Sequence, residues 1–178
     1  LVKNQDISSL LPLMHEIWVE PGDCVFVPHG VLHAIGAGIL LAEVQEPEDL
    51  SILLEWEGFD LDGEADGHLD LGFELALTAV ESSARSPENV EALIRRGGTA
   101  GNALVQEADP FFRLDRVESR TEFPAGFAVI IALDEDAQLT LKDGVHQTLT
   151  AGTTTLMAHA TGGFALEGPA LVARPPEA

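Results

Sequence analysis

The spacing of apolar and polar positions along this chain changes character twice. In residues 1–58 the apolar residues fall in short runs, at 16–20, 24–27, 39–44 and 50–56, each rich in Val, Ile, Leu, Phe or Trp and set off by Pro or Gly. Runs of that length with that punctuation predict a compact antiparallel β fold. Ahead of them, residues 6–13 predict a short helix, capped by Asp6 or Ser8 and distorted or ended by Pro12. From residue 59 to 105 the period lengthens. Leu69, Phe73, Ala76 and Val80 lie at helical spacing, so that one face buries while Asp70, Glu74 and Glu81 stay in water. Pro87 opens a second helix with Ser86 as its N-cap, and Gly97-Gly98 is read as its stop. The acidic stretch 60–66 reads as the linker into this helical pair.

Residues 106–178 return to β texture. The run 127–133 is continuously apolar and suits a buried strand, 138–142 alternates, and Asp143-Gly144 is a strong hairpin turn. Further runs at 145–150, 153–157, 163–166 and 170–173 follow. Short strands recurring about every ten residues predict a sandwich or barrel, most simply a jelly roll.

Composition narrows the partners. Thirty acidic residues against nine basic ones give a net charge of −21, which repels nucleic acid and anionic membranes over a Debye length of roughly 8–10 Å. Neither is expected as a partner. Cys24 is the single cysteine, so the chain forms no internal disulfide and no multi-cysteine zinc site, and a reducing compartment is expected. Its neighbours Asp23, Val25 and Phe26 place it on a strand as a small hydrophobe, not a nucleophile. No basic head followed by an apolar core opens the sequence, and no run reaches the roughly 18 apolar residues of a membrane span. A cytoplasmic location is therefore expected. The first residue is Leu1 and not Met, which reads as a segment of a longer polypeptide.

The stretch from Pro21 to Gly36 carries the chemistry. Pro21-Gly22-Asp23 makes a tight turn, residues 24–27 cross a sheet, and Pro28 to Gly30 turn the chain again. His33 then opens the returning strand, where a neutral imidazole nitrogen is a good ligand for zinc or a similar divalent ion. Taken residue by residue, each candidate has two readings. His33 is a metal ligand or an ordinary core or surface histidine; His29 lines a pocket or sits in solvent. Glu43 is a general acid/base or an edge carboxylate in water. Asp49 and Glu48 read as turn formers, His159 as structural, and His15 and His146 as surface residues.

Gly22, Pro28, Gly30 and His33 match, without a gap, the second motif of the cupin superfamily: Gly, five residues, Pro, one residue, Gly, two residues, His. The block that follows, His33-Ala34-Ile35-Gly36, a short apolar run, then Glu43-Val44-Gln45-Glu46 and Asp49, resembles type I mannose-6-phosphate isomerases. That resemblance implies a mainly β cupin jelly roll, with residues 1–58 as the C-terminal part of a metal-binding cupin, 59–105 as a helical insert and 106–178 as a small cupin-like domain. It implies a zinc-dependent isomerase interconverting mannose 6-phosphate and fructose 6-phosphate, with His33 as a metal ligand and Glu43 as the active-site glutamate; His29 and Asp49 are the substrate-binding candidates beside them. The family draws its other ligands from a Gln-x-His pair and a Lys-Pro-Glu segment. Neither occurs here, so those ligands are expected outside this chain. Where the family carries a catalytic Arg, ten residues after the matched Glu, this sequence has Leu53, and residues 4–84 contain no Lys or Arg. A phosphosugar dianion needs charge-assisted donors, so the cation is expected from Arg85, Arg95, Arg96, the C-terminal zone or another segment. Leu53 also carries the competing expectation of a non-catalytic carbohydrate-binding or regulatory cupin.

Overall fold

Among the described residues the α-helices and the strands fall in separate units. The structure, a computed structural model, describes residues 1–46 and 50–177. One compact unit comprises Leu1–Trp18 and Val27–Glu91, the other Val19–Phe26 and Ala92–Ala178. The first carries α1 (Ile7–Leu10), α2 (Gly63–Asp66), α3 (Phe73–Ala76) and α4 (Pro87–Glu91), with 3-10 turns at Val2–Asn4, Leu11–Leu13 and Leu77–Ala79. As expected, Asp6 caps α1, its Oδ1 accepting from the Ser9 amide at 3.2 Å. Pro12 sits in the opening positions of the 3-10 turn, where a missing N–H costs no helical hydrogen bond. Ser86 Oγ accepts from the Asn89 amide at 3.3 Å and caps α4.

Two helical expectations are shortened. Leu69, Asp70 and Gly72 all take positive φ (52°, 60° and 73°), so α3 cannot begin before Phe73 despite the helical spacing from Leu69. The second helix ends at Glu91 and not at Gly97-Gly98, because Ile94–Arg95 leave it to pair as a strand.

The runs 16–20, 39–44 and 50–56 lie in no strand. Alternation supplies a face, but a strand also needs a neighbour to satisfy its ladder. Leu40 in the middle run is 99% exposed. The run 50–56 is instead tied by the Leu53 amide donating to the Gly67 carbonyl at 2.8 Å. Gln5 completes the hold: its Oε1 accepts from the Trp56 amide at 2.7 Å and its Nε2 donates to the Leu54 carbonyl at 3.1 Å. Trp56 stacks on Phe73 with centroids 5.2 Å apart, and His68 meets Phe73 edge-on. Trp56 also fills the space beside Gly63 so closely that no side chain fits there.

The second unit holds every strand among the described residues. A two-stranded ribbon pairs β1 (Cys24–Val25) with β2 (Ile94–Arg95). Then come β3 (Gly101–Asn102), β4 (Arg113–Val117), β5 (Thr121–Phe123), β6 (Ala128–Ala132), β7 (Ala137–Leu141), β8 (His146–Leu149), β9 (Thr154–Met157), β10 (Phe164–Glu167) and β11 (Ala170–Arg174). They build one sheet of order β3-β4-β11-β6-β9 and another of order β5-β10-β7-β8, with every pairing antiparallel. From β4 onward every connection crosses to the other sheet except the β7–β8 hairpin. That connectivity is an eight-stranded jelly roll, so the mainly β jelly-roll architecture expected from the sequence is present in this unit.

The hairpin turn is the predicted Asp143-Gly144. Gly144 takes φ 87°, its amide donates to the Leu141 carbonyl at 2.9 Å, and Asp143 Oδ1 accepts from the Val145 amide. The core draws on both sheets: Ala128, Ile130, Ala132 and Val172 from one, Ala137, Leu139, Phe164 and Leu166 from the other, each 3% exposed or less. In β6 the buried residues alternate with half-buried Val129 and Ile131, the period of two that the apolar run concealed. No helix among the described residues is long and apolar enough to cross a membrane.

Candidate functional site

The corner that carries the motif is made by its glycines. Gly22 takes φ 94° and lies so close to Gly98 that a Cβ built on it would stand 2.7 Å from the Gly98 Cα and N. Asp23 follows and fastens the approach. Its Oδ1 accepts from the Gly97 amide at 2.8 Å, and its Oδ2 accepts from Arg96 Nη1 at 2.8 Å and from the Glu20 amide at 3.1 Å. The strand then runs with Cys24 opposite Arg95 and Val25 opposite Ile94, and the Phe26 amide donates to the Leu93 carbonyl at 2.9 Å. Burial pushes the Cys24 thiol up from its ordinary pKa. It stays protonated, in keeping with the hydrophobe reading.

The next turn has the pattern of a type II turn. The Val31 amide donates to the Pro28 carbonyl at 3.2 Å, His29 is exposed at the second position, and Gly30 at the third takes φ 74°. A Cβ on Gly30 would stand 2.5 Å from the Ala79 carbonyl oxygen, and the Gly30 carbonyl accepts from the Glu81 amide at 2.8 Å. Gly22 and Gly30 are thus glycine for both conformation and close backbone approach.

His33 is exposed, and its Nδ1 lies 3.1 Å from the Val31 carbonyl. A carbonyl only accepts, so this contact places the ring proton on Nδ1 and leaves the Nε2 lone pair as the ligating position. Glu43 is exposed. No hydrogen bond joins His29, His33 and Glu43 to one another, and Asp49, like Glu48, lies outside the described residues. Among the described residues no three His, Cys, Asp or Glu side chains gather where they could hold a metal ion. A catalytic zinc generally takes three protein ligands, so the described residues do not by themselves fit one. Leu53 is half-buried, a packing residue where the resemblance implies an arginine. The unit that carries these candidates has only Lys3 and Arg85 as basic residues, and Arg85 is paired with Glu81 at 2.9 Å.

Asp23 is the position whose role sequence reasoning does not reach. It is legible there only as a turn former, because its partners Arg96 and Gly97 are remote in the chain. The Gly97 and Glu20 amides and the Arg96 guanidinium hold its carboxyl at about 2, well below the ordinary carboxylate value, with Gly97 contributing most. An acid depressed in the folded state stabilises the fold when ionised. That contribution is complete above the unfolded value of about 3.9 and is lost as the pH falls through about 2. Asp23→Asn is therefore expected to lower the denaturant midpoint at neutral pH and to flatten the decline between about pH 4 and pH 2, in urea titrations of both proteins across that range.

No family model matches the chain. Over 130 residues it is 26% identical to the mannose-6-phosphate isomerase ManA of Bacillus subtilis, a match covering 64% of this chain and 41% of that protein. The chain thus spans less than half the length of this curated relative. Among solved structures, mannose 6-phosphate isomerase from Salmonella typhimurium bound to substrate and zinc aligns with 58% of this chain and 27% of its own, at 12% identity and a TM-score of 0.44. A cupin-2 domain protein from Shewanella frigidimarina aligns with 46% of this chain and 83% of its own, at 15% identity and a TM-score of 0.33. The partial match to the isomerase and the jelly-roll connectivity support the cupin superfamily.

Proposed function

We propose that this chain contributes to a cupin-type aldose–ketose isomerase that interconverts mannose 6-phosphate and fructose 6-phosphate. The observation that supports this most is the gapless motif Gly22, Pro28, Gly30 and His33, within a chain that is 26% identical to a mannose-6-phosphate isomerase over 130 residues. On this reading Glu43 carries a proton between the adjacent sugar carbons, and His29 and Asp49 contact the sugar hydroxyls. His33 offers its Nε2 to a divalent ion such as zinc, whose remaining ligands come from another segment or another chain. The soluble, cytoplasmic setting of a phosphosugar enzyme belongs to the same proposal.

The test is a coupled assay of mannose 6-phosphate conversion on the complete protein, with and without divalent metal. Glu43→Gln is expected to reduce turnover by about 10²–10⁴-fold, the range of a general acid/base, while leaving the circular dichroism spectrum unchanged. An unreactive complete protein that also takes up no divalent ion refutes the proposal.

Leu53 and the scarcity of cations beside the candidate residues favour a second reading, a non-catalytic carbohydrate-binding or regulatory cupin. Such a module would bind mannose at least as well as mannose 6-phosphate, whereas the isomerase would prefer the phosphorylated sugar.

A further inference from the structure

In a chain with nine basic residues and a net charge of −21, two arginines line one small cavity of the jelly roll. The cavity measures about 110 Å³ and is walled by Arg113 at the start of β4, Arg174 at the end of β11, and the loop Pro124, Ala125, Gly126 and Phe127 between β5 and β6. Pockets that enclose a whole metabolite run to roughly 300–1,000 Å³, so this one takes a headgroup only.

Arg174 is held in place before any ligand arrives. Its side chain is 15% exposed, its Nη2 donates to Asp115 Oδ2 at 2.6 Å, and its guanidinium carbon lies 5.1 Å from the centroid of the Phe123 ring. Phe123 is itself stacked on Phe164 with centroids 5.0 Å apart. Asp115 takes one donor and the ring takes a face, yet Arg174 Nε is buried and has no acceptor among the described residues. That Nε is out of reach of a molecule in the cavity, which meets only the rest of the guanidinium.

Arg113 shows what a ligand here would resemble. Its Nε donates to the Pro175 carbonyl at 2.8 Å, and its Nη1 pairs at 3.1 Å with Glu177, a carboxylate whose side chain is 84% exposed. A carboxylate so exposed gains little from its pair and is readily displaced.

We propose that the cavity between Arg113 and Arg174 binds a small oxyanion group, a phosphate or a carboxylate, and that Glu177 competes for it. Guanidinium forks match both groups in shape and charge. The site lies wholly within the jelly-roll unit and does not depend on the isomerase reading.

The experiment is calorimetric titration of the full chain with inorganic phosphate and, separately, with acetate, at low chloride and without sugar or metal. Saturable binding of either anion is expected, and comparing the two identifies the preferred source. Arg113→Gln should weaken it at least tenfold, and Glu177→Gln should tighten it several-fold. Arg113 is the better residue to replace because Arg174 also anchors Asp115. Lys3→Gln, in the other unit, serves as the control for general charge and should leave binding unchanged. Absence of saturable binding by both anions overturns the proposal. So does an Arg113→Gln protein that folds by circular dichroism and binds as tightly as the original, or a Lys3→Gln protein that loses as much.

Discussion

Truncating Ile130 to alanine is expected to destabilise the jelly roll by about 2–5 kcal/mol, the range for a fully buried aliphatic residue reduced to a methyl group. Ile130 has no exposed surface and sits in β6 between β11 and β9, with both neighbours hydrogen-bonded to it. A cavity opened there cannot be refilled by sliding one strand, because the register is held from both sides and a slip of one residue would turn Val129 and Ile131 inward. Since small domains are stable by only about 5–15 kcal/mol, this one change should remove a large part of the total. The measurement is urea unfolding followed by far-ultraviolet circular dichroism. Trp18 and Trp56, the two tryptophans, both belong to the other unit, so tryptophan fluorescence would report on the wrong place. Leu156→Ala in the adjacent β9 is the control. It is 64% exposed and should shift stability by no more than about 0.5 kcal/mol. Comparable losses in the two proteins would mean that the core is not where the structure puts it.

The second large effect is expected at Gly22. Any other L-residue must take φ 94° there, a strain of about 1–3 kcal/mol, and its Cβ must also enter the backbone of Gly98. Backbone cannot rotate away as a side-chain tip can, so Gly22→Ala should force the Pro21-Gly22-Asp23 turn apart from Gly97-Gly98. Loss of the Asp23 contacts to Gly97 and Arg96 should follow. Thermal unfolding should show a clear drop in midpoint, and amide exchange at Gly97, whose N–H is held by Asp23, should accelerate. Gly36→Ala is the matched control within the same motif region, since nothing lies within 4 Å of a Cβ there. Equal behaviour of the two variants would show that the motif glycine is not sterically required.

These effects also mark where sequence reading succeeds and where it stops. The strands from β6 to β11 are legible almost residue for residue, because alternation, apolar runs and an Asp143-Gly144 turn are local signals and every one of those strands finds a partner in the sheets. The runs at 16–20, 39–44 and 50–56 carry comparable apolar signals, yet lie in no strand. Nothing local distinguishes a run that will be paired from one that will not. The candidate site divides in the same way. The glycines of the motif are legible because their spacing is short, and the structure supplies their reason in the Gly98 and Ala79 backbones. His29, His33 and Glu43 stand as exposed residues with no hydrogen bonds among them.

The chain's own letters determined the strands from β6 to β11, the Asp143-Gly144 turn, the caps of α1 and α4 and a net charge of −21, all of which act over a few residues or over the whole charge at once. Tertiary structure alone decided that β4 and β11 bring Arg113 and Arg174 to one cavity, that Asp23 reaches Gly97, and that Gly22 must admit Gly98. Each of those is a meeting of groups distant in sequence, selected by packing and backbone pairing.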